Sequence, residues 1–277
     1  YAPTEHWTLG LSWEDGDTRD RRTAAETTRR AAGLRAGFGS DALQVSSGVE
    51  YIFADTERSD GSHTERSTWL FRNNLKWQID EDGRLLAKFN HAISDSSDGD
   101  FFDGGFTEAI LGYAYRPITH DRFFSLVKYT YFYNVPTTDQ VGQNGTSAQF
   151  LQKSHVLSAD MSYDLTDQWK LGAKYAYRLS QVSLDRTNPK FFDNDAHLFI
   201  LRSDYRLFTN WETSIEGRML DLPDLDERRI GALAVLYRYF GEHLKVGLGY
   251  NFTDFSEDLT DLSYNHPGLF LNVVGTF

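Results

Sequence analysis

Polar and apolar residues alternate with a period of two through most of this chain of 277 residues, which divides into about fourteen segments of strand length. The connections between these segments alternate between short and long. The short ones lie around 39–41, 80–83, 117–121, 165–167, 208–210 and 240–242, and the long ones around 15–28, 54–64, 94–104, 134–153, 180–194, 220–227 and 253–266. This pattern predicts an all-β, antiparallel fold whose strands run up and down, with both ends of the chain on the side of the short connections.

The two faces of the clearest segments differ in chemistry. In residues 169–180, Trp169, Leu171 and Tyr175 alternate with Lys170, Lys174 and other polar or small residues, and 199–206 and 244–252 repeat the pattern. A Lys or Arg at the lipid midplane costs about 2–4 kcal/mol. We therefore expect the apolar face to contact lipid and the charged face to line a lumen. We therefore predict one transmembrane β-barrel over residues 1–277, with both termini periplasmic.

Composition agrees with this interpretation. Mean hydropathy is −0.50, and no apolar run reaches the length of about 20 residues that a spanning helix needs. Aromatic residues make up 15% of the chain and fall near both ends of the predicted strands, where interfacial girdles are expected: Trp7, Trp77, Trp169 and Trp211 beside short connections, and Trp13, Tyr133 and Tyr177 toward the other end. A soluble all-β protein, the alternative, leaves this distribution unexplained.

The last predicted strand has an apolar face formed by Leu269, Leu271, Val273, Gly275 and Phe277. A terminal strand of this form resembles the C-terminal signature of bacterial outer-membrane β-barrels. The resemblance implies localisation in the bacterial outer membrane and recognition by the barrel-assembly machinery, with Phe277, Val273 and Leu271 as the assembly signal. The expected partners are lipid, lipopolysaccharide and this machinery.

A more specific resemblance lies in residues 247–264 and 268–277, and extends back to 154–160 and 171–178. These segments resemble the C-terminal barrel of large, modular, repeat-bearing outer-membrane proteins of Gram-negative bacteria. The resemblance implies a membrane anchor whose other domains or subunits belong to a larger envelope protein. Residues 1–4 carry no basic and apolar signal segment, so we expect that an export signal was removed or that a longer precursor exists.

The predicted lumen wall is net basic, although the whole chain has a net charge of −12. Acidic wall residues are fewer: Glu50, Glu108, Asp160, Asp204, Glu212 and Glu216. The predicted basic residues are Arg35, Arg72, Lys76, Arg84, Lys88, Arg116, Lys128, Lys170, Lys174, Arg178, Arg202, Arg206, Arg218, Arg238 and Lys245. One interpretation is a structural ladder of ion pairs across neighbouring strands. The other is a pore lining that favours anions.

The acidic surplus lies in the long connections, at residues 95–103, 221–227 and 254–261. Solvated outer loops are one interpretation, and oxygen ligands for divalent ions that bridge to lipopolysaccharide are the other. No segment has the spacing of a helical calcium loop, so we predict no metal site and no cofactor. The connection 134–153 is either a solvated loop or a constriction loop folded into the lumen.

Catalytic motifs are weak, and we predict that the chain is not an enzyme. The pairs Asp98–Asp100 and Asp195–His197 have the spacing that the omptin family of outer-membrane proteases uses to activate water, but such short patterns arise easily in a chain rich in aspartate. Cysteine is absent, which excludes thiolate sites and disulfides. The negative net charge gives no support for nucleic-acid binding.

The sequence therefore leaves two main functions open. The first is a membrane anchor or assembly barrel, which predicts a lumen filled by side chains, a loop or a partner segment. The second is a passive channel similar to a porin, with a net basic lumen that favours anions. A protease similar to the omptins is a remote third hypothesis.

Overall fold

A computed structural model of the protein describes residues 5–21, 24–97, 104–134, 151–185, 188–241, 243–260 and 266–275. Regular structure in these residues is almost entirely β. The strands are β1 (Trp7–Arg19), β2 (Glu26–Gly39), β3 (Leu43–Glu57), β4 (His63–Gln78), β5 (Gly83–Ser96), β6 (Gly104–Tyr115), β7 (Phe123–Tyr133), β8 (Leu151–Asp164), β9 (Trp169–Ser183), β10 (Phe192–Asp193), β11 (Ala196–Phe208), β12 (Trp211–Leu222), β13 (Glu227–Phe240), β14 (Leu244–Asn251) and β15 (Gly268–Gly275). A single turn of 3-10 helix, Pro223–Leu225, joins β12 to β13.

The described residues include no helix with the length and hydrophobicity needed to cross a membrane.

One antiparallel sheet contains all of these strands. Its order follows the chain from β1 to β15, and the two-residue strand β10 pairs with β9 beside the main path. Apart from β10, the strands have between 8 and 16 residues, and about 9–11 residues suffice for a tilted strand to cross a bilayer. The predicted antiparallel, up-and-down fold with about fourteen strands is confirmed.

The predicted positions of the connections agree with the structure, but several strands run further than the sequence suggested, so the connections 58–62 and 223–226 are short although the pattern assigned them to long loops. β1 continues to Arg19, and β3 continues to Glu57, into regions that the pattern assigned to loops. Polar pairs across the strands hold the first extension, including an ion pair between Arg29 and Glu14 and a 2.7 Å hydrogen bond from Thr28 Oγ1 to Asp17 Oδ1. These hairpins keep their hydrogen bonds although their residues are polar.

β1 starts and β15 ends at the side of the short turns, the side that faces the periplasm in outer-membrane barrels. β1 and β15 are also the two edges of the sheet. In the described residues no ladder joins these edges, and every residue of β1 is exposed. Closure of the sheet stays a prediction.

The distribution of polarity is the reverse of that in a soluble protein. We call the face that carries Ser154, Arg178 and Ser180, all buried, the inward face. The opposite, outward face exposes large apolar side chains, among them Leu11 at 81% and Leu269 at 76%. The alternation predicted for residues 169–180 is confirmed, because Trp169, Leu171 and Tyr175 point outward. A sheet with this polarity suits lipid outside and a polar interior.

Candidate functional site

The candidate site is the inward face, where strand pairing brings the predicted wall residues together. Pairing in register keeps paired residues on one side of the sheet, so the face can be followed from strand to strand. The residues that it places inward include Arg35 on β2, Arg72 and Lys76 on β4, Arg84 and Lys88 on β5, Lys128 on β7, Lys170, Lys174 and Arg178 on β9, Arg202 and Arg206 on β11, Arg218 on β12 and Lys245 on β14.

Two predicted wall residues lie elsewhere. Arg116 follows the end of β6 and belongs to the turn that leads to β7, where its backbone N–H donates a 2.8 Å hydrogen bond to the carbonyl of Asp82. Arg238 points outward, because it pairs in register with outward-facing Trp211. The prediction for Arg238 was wrong because the cost of a cation on the lipid face depends on depth: it falls to about 0–1 kcal/mol near the interface.

Most wall cations face a carboxylate. Arg72 lies 3.3 Å from Glu50, Lys88 lies 2.8 Å from Glu108, and Lys245 lies 2.7 Å from Glu212. Arg202 and Asp204 on β11 are 3.2 Å apart. The pairs Arg72–Glu50 and Lys88–Glu108 join neighbouring strands, as expected from the sequence, whereas Lys245 and Glu212 lie two strands apart. These ion pairs satisfy charged groups inside the fold, which is what a structural ladder requires.

A second layer covers part of this wall. After β14 the chain turns inward, and we call residues 252–260 the inward segment. It begins beside β13, where the Phe252 N–H donates a 2.8 Å hydrogen bond to the Ala232 carbonyl and Thr253 Oγ1 donates one of 3.2 Å to the same oxygen. Gly231 makes this approach feasible, because a Cβ there would lie 2.7 Å from Thr253 Cγ2.

The inward segment contributes two apolar anchors to the most buried apolar cluster of the described residues. Phe255 is 4% exposed and Leu259 is 5% exposed. They pack in one cluster with inward residues near the long-connection side of β7 to β12: Phe132, Val156, Ala176, Ala196, Leu198, Ile200 and Leu220. Burying a Phe or a Leu contributes about 1.5–3 kcal/mol each, so this contact holds the segment against the wall.

Charged contacts fix the segment across the wall. Asp258 lies 3.2 Å from Lys128 of β7, and Glu257 lies 3.0 Å from Arg218 of β12. Lys174 Nζ donates a 2.8 Å hydrogen bond to the Glu257 carbonyl. Arg218 also pairs with Glu216 and is almost fully buried. The segment thus carries negative charge to a part of the wall where cations exceed carboxylates.

Asp258 is held in its charged form. Burial alone would raise its pKa, but hydrogen bonds from the backbone N–H and Oγ1 of Thr260, with the nearby charges of Lys128 and Lys174, outweigh that effect. The pKa of Asp258 is therefore below its ordinary value. The Asp258 side chain is ionised when the segment is docked at neutral pH.

The interpretation of residues 254–261 as a solvated outer loop was wrong for the described residues 254–260. Their acidic side chains suggested exposure to solvent. Phe255 and Leu259 instead pack against apolar residues of the inward face, and the carboxylates of Glu257 and Asp258 form ion pairs with wall cations. The sequence contained a signal for this arrangement: two large apolar residues four positions apart in an acidic tract, opposite a basic wall.

A polar cleft of about 570 Å³ opens at the short-turn end of the inward face. Residues that line it include Lys170, Asp164, Arg202, Asp204, Arg206, Glu212 and Lys245. Both signs of charge are present, and Lys170 lies 3.8 Å from Asp164. The inward face of β7 to β13 is therefore covered near the long connections and open near the short turns.

The omptin hypothesis receives no geometric support from the described half of its motif. His197 points outward and shares a 3.0 Å hydrogen bond with the Tyr175 hydroxyl. Its ring stacks on that of Tyr177, with 4.5 Å between the ring centroids. Asp195 instead accepts hydrogen bonds from the backbone N–H of Ser180 and from the Tyr177 hydroxyl. Asp98 and Asp100 lie outside the described residues.

Other predicted residues are placed as follows. Leu271 and Val273 of the predicted assembly signal point outward and are exposed, whereas Phe277 lies outside the described residues. Most of the connection 134–153, the predicted constriction loop, also lies outside them. Trp77, Trp169 and Trp211 lie on the outward face near the short turns; their role in an interfacial girdle stays a prediction.

Arg229 is among the wall residues that the sequence analysis missed. Arg229 of β13 points inward, 2.7 Å from Glu227 and 3.9 Å from Asp254 of the inward segment. Both faces of β13 contain arginine, at Arg228 and Arg229, so alternation alone did not distinguish them.

Comparison with known proteins identifies the fold. No protein-family model matches the sequence, and no curated protein sequence matches it significantly. Among solved structures, the siderophore receptor PirA from Pseudomonas aeruginosa matches 91% of this chain with a TM-score of 0.59 at 12% identity, over 46% of its own length. The ferric enterobactin receptor PfeA from the same organism matches 90% with a TM-score of 0.56 at 10% identity, over 44% of its length. The copper transporter OprC matches 88% with a TM-score of 0.52 at 13% identity, over 50% of its length.

The chain therefore has the barrel-like fold of outer-membrane receptors and spans about half the length of those structures. At these identities the likeness concerns the fold alone. This fold and the apolar outward face together support the predicted localisation, and the chain is a protein of the bacterial outer membrane.

Proposed function

We propose that the chain is a membrane anchor or assembly barrel for a larger envelope protein, with its lumen occluded by the inward segment. The observation that carries the proposal is the docking of residues 252–260 on the inward face through Phe255, Glu257, Asp258 and Leu259. An anchor needs stability in lipid and no continuous aqueous path.

The extent of the inward segment supports this function. Its contacts run from Ala232 on β13, through Arg218 on β12, to Lys128 on β7. These strands are five steps apart in the sheet order, or about 24 Å at the usual spacing between strands. A segment that crosses this much of the inward face occupies space that a passive pore would leave to water.

The resemblance of residues 247–264 and 268–277 to the barrels of modular outer-membrane proteins favours an anchor as well. On this proposal the other domains or subunits of the envelope protein are partners, together with lipid and lipopolysaccharide. The assembly machinery would recognise the strand that contains Leu271 and Val273. The proposal gives the chain no catalytic role and no cofactor.

A passive channel is the second candidate, and one observation favours it. The cleft of about 570 Å³ at the short-turn end is polar, and Arg202, Arg206 and Lys245 contribute cations to it. If an aqueous path passes the inward segment, these cations would favour anions.

Single-channel conductance in planar bilayers, with a salt gradient across them, tests the two candidates. We expect the refolded chain to be electrically silent, and a variant with residues 252–260 replaced by a Gly-Ser linker of equal length to conduct. A matched control replaces Pro223–Leu225, the turn between β12 and β13, and should stay silent. Steady anion-selective steps from the unaltered chain would refute the occluded anchor and establish the channel.

A further inference from the structure

Arg238 occupies an unusual position for a charged residue. It lies two residues before the end of β13, at the short-turn side, and pairs in register with Trp211 of β12 and Val246 of β14. Its guanidinium carbon lies 5.3 Å from the ring centroid of Trp211 and 5.1 Å from that of Phe240. Two aromatic rings therefore hold the cation on the outward face.

Among the residues that the structure describes, no other charge shares the outward surface of these strands near the short turns. We consider the outward positions among the eight residues of each described main strand that are nearest to the short turns. Apart from Arg238, all of them are apolar, aromatic or uncharged polar residues; at the level of Arg238 the neighbours include Tyr205, Trp211, Leu236, Val246 and Val273. Among the described residues no carboxylate forms an ion pair with Arg238.

The surroundings of Arg238 identify the type of partner. Phe240 and Leu244 are at least 40% exposed beside it, and this surface is continuous with the apolar face that contacts lipid. At the depth of the strand end, the side chain reaches the layer of lipid head groups. A guanidinium matches the oxygens of a phosphate with two parallel hydrogen bonds, and such charge-assisted bonds are strong.

We propose that Arg238, held between Trp211 and Phe240, binds the phosphate of an anionic phospholipid in the leaflet next to the short turns. The aromatic rings restrict the guanidinium, and the acyl chains of the same lipid would lie along Leu236 and Ala234. This inference goes beyond the proposed function and is independent of whether the lumen is open.

The test compares the folding equilibrium of the protein in vesicles of phosphatidylcholine with that in vesicles that also contain phosphatidylglycerol. We expect the anionic lipid to raise the ratio of folded to unfolded protein about fivefold more for the unaltered chain than for Arg238→Gln, since one basic residue near a membrane surface contributes about 1 kcal/mol. Arg206→Gln, an equal change of charge on the inward face, should respond as the unaltered chain does.

An equal response of Arg238→Gln and the unaltered chain to phosphatidylglycerol would overturn the proposal. Inorganic phosphate added to phosphatidylcholine vesicles separates the two sources of phosphate, and an equal stabilisation by the free ion would also overturn it. Native mass spectrometry in detergent supplies a second readout if Arg238→Gln folds poorly. Arg238→Lys should then retain fewer phosphatidylglycerol molecules than the unaltered chain, and equal retention would contradict a site that needs the guanidinium.

Discussion

The docking of the inward segment can be tested by removing its largest apolar anchor. We consider Phe255→Ala in a chain that also carries Ala176→Cys. Ala176 is 1% exposed and belongs to the same buried cluster as Phe255. The chain has no other cysteine, so a maleimide reports on this one position. The labelling rate therefore measures how often the segment leaves the wall.

The magnitude follows from the burial of Phe255. A buried Phe replaced by Ala costs about 3–5 kcal/mol, and we take about 3 kcal/mol because the segment has lumen on its other side. At about 1.4 kcal/mol per factor of ten, the population of undocked segment rises about a hundredfold. We expect the labelling rate to rise by that factor, or until the segment is undocked throughout.

A matched control is Leu248→Ala, which removes an apolar side chain from the outward face of β14 and should leave the labelling rate unchanged. Circular dichroism checks that the sheet is intact in each variant. If Phe255→Ala labels within twofold of its parent, residues 252–260 do not shield the wall, and the argument for an occluded lumen fails.

Three further results are expected. The depressed pKa of Asp258 means that its contribution to docking is complete above the ordinary carboxylate value of 3.8 and is lost as pH falls through the lower pKa of the docked state. Pepsin should therefore cut the segment faster at such acidic pH, and Asp258→Asn should reduce this pH dependence. Gly231→Ala places a Cβ 2.7 Å from Thr253 Cγ2, so it should raise labelling at the cysteine reporter, whereas an unchanged rate would mean that Thr253 moves freely. Arg218→Met leaves Glu216 buried without its cation and should lower the free energy of unfolding in urea by about 3–5 kcal/mol. The control Arg228→Met removes a cation from an exposed ion pair and should change this free energy by about 0–1 kcal/mol. Equal effects of the two substitutions would contradict the argument from burial.

The fold was largely predictable because its pattern repeats. Residues such as Trp169 and Lys170 alternate in chemistry, and a shift of one residue would move a whole strand's cations into lipid. The turns were predictable from Asp82, Gly83 and similar residues that interrupt the alternation. Strand ends were less predictable. Glu14 and Arg29 are polar and resemble loop residues in the sequence, but their ion pair extends a hairpin.

The candidate site was predictable only in part. Alternation places Lys128 and Arg218 on the wall, but it contains no information on Asp258, which reaches Lys128 from 130 positions away. Only the tertiary contact shows that Lys128 and Asp258 belong to one site. Arg238 shows the second limit: the side of a strand on which a cation is tolerated depends on its depth in the membrane, which two-residue periodicity does not encode.

The place of the inward segment in the chain has a consequence for assembly. Its anchoring partners on β7 to β13 precede it, and the contact between Lys128 and Asp258 closes a loop of 130 residues. Contacts of such long range form late, because the intervening chain must first be ordered. The wall of β7 to β13 is therefore uncovered while these strands assemble, and the inward segment covers it only after β14 has joined the sheet. On the proposed function, a polypeptide that has to pass through the interior does so before the inward segment docks.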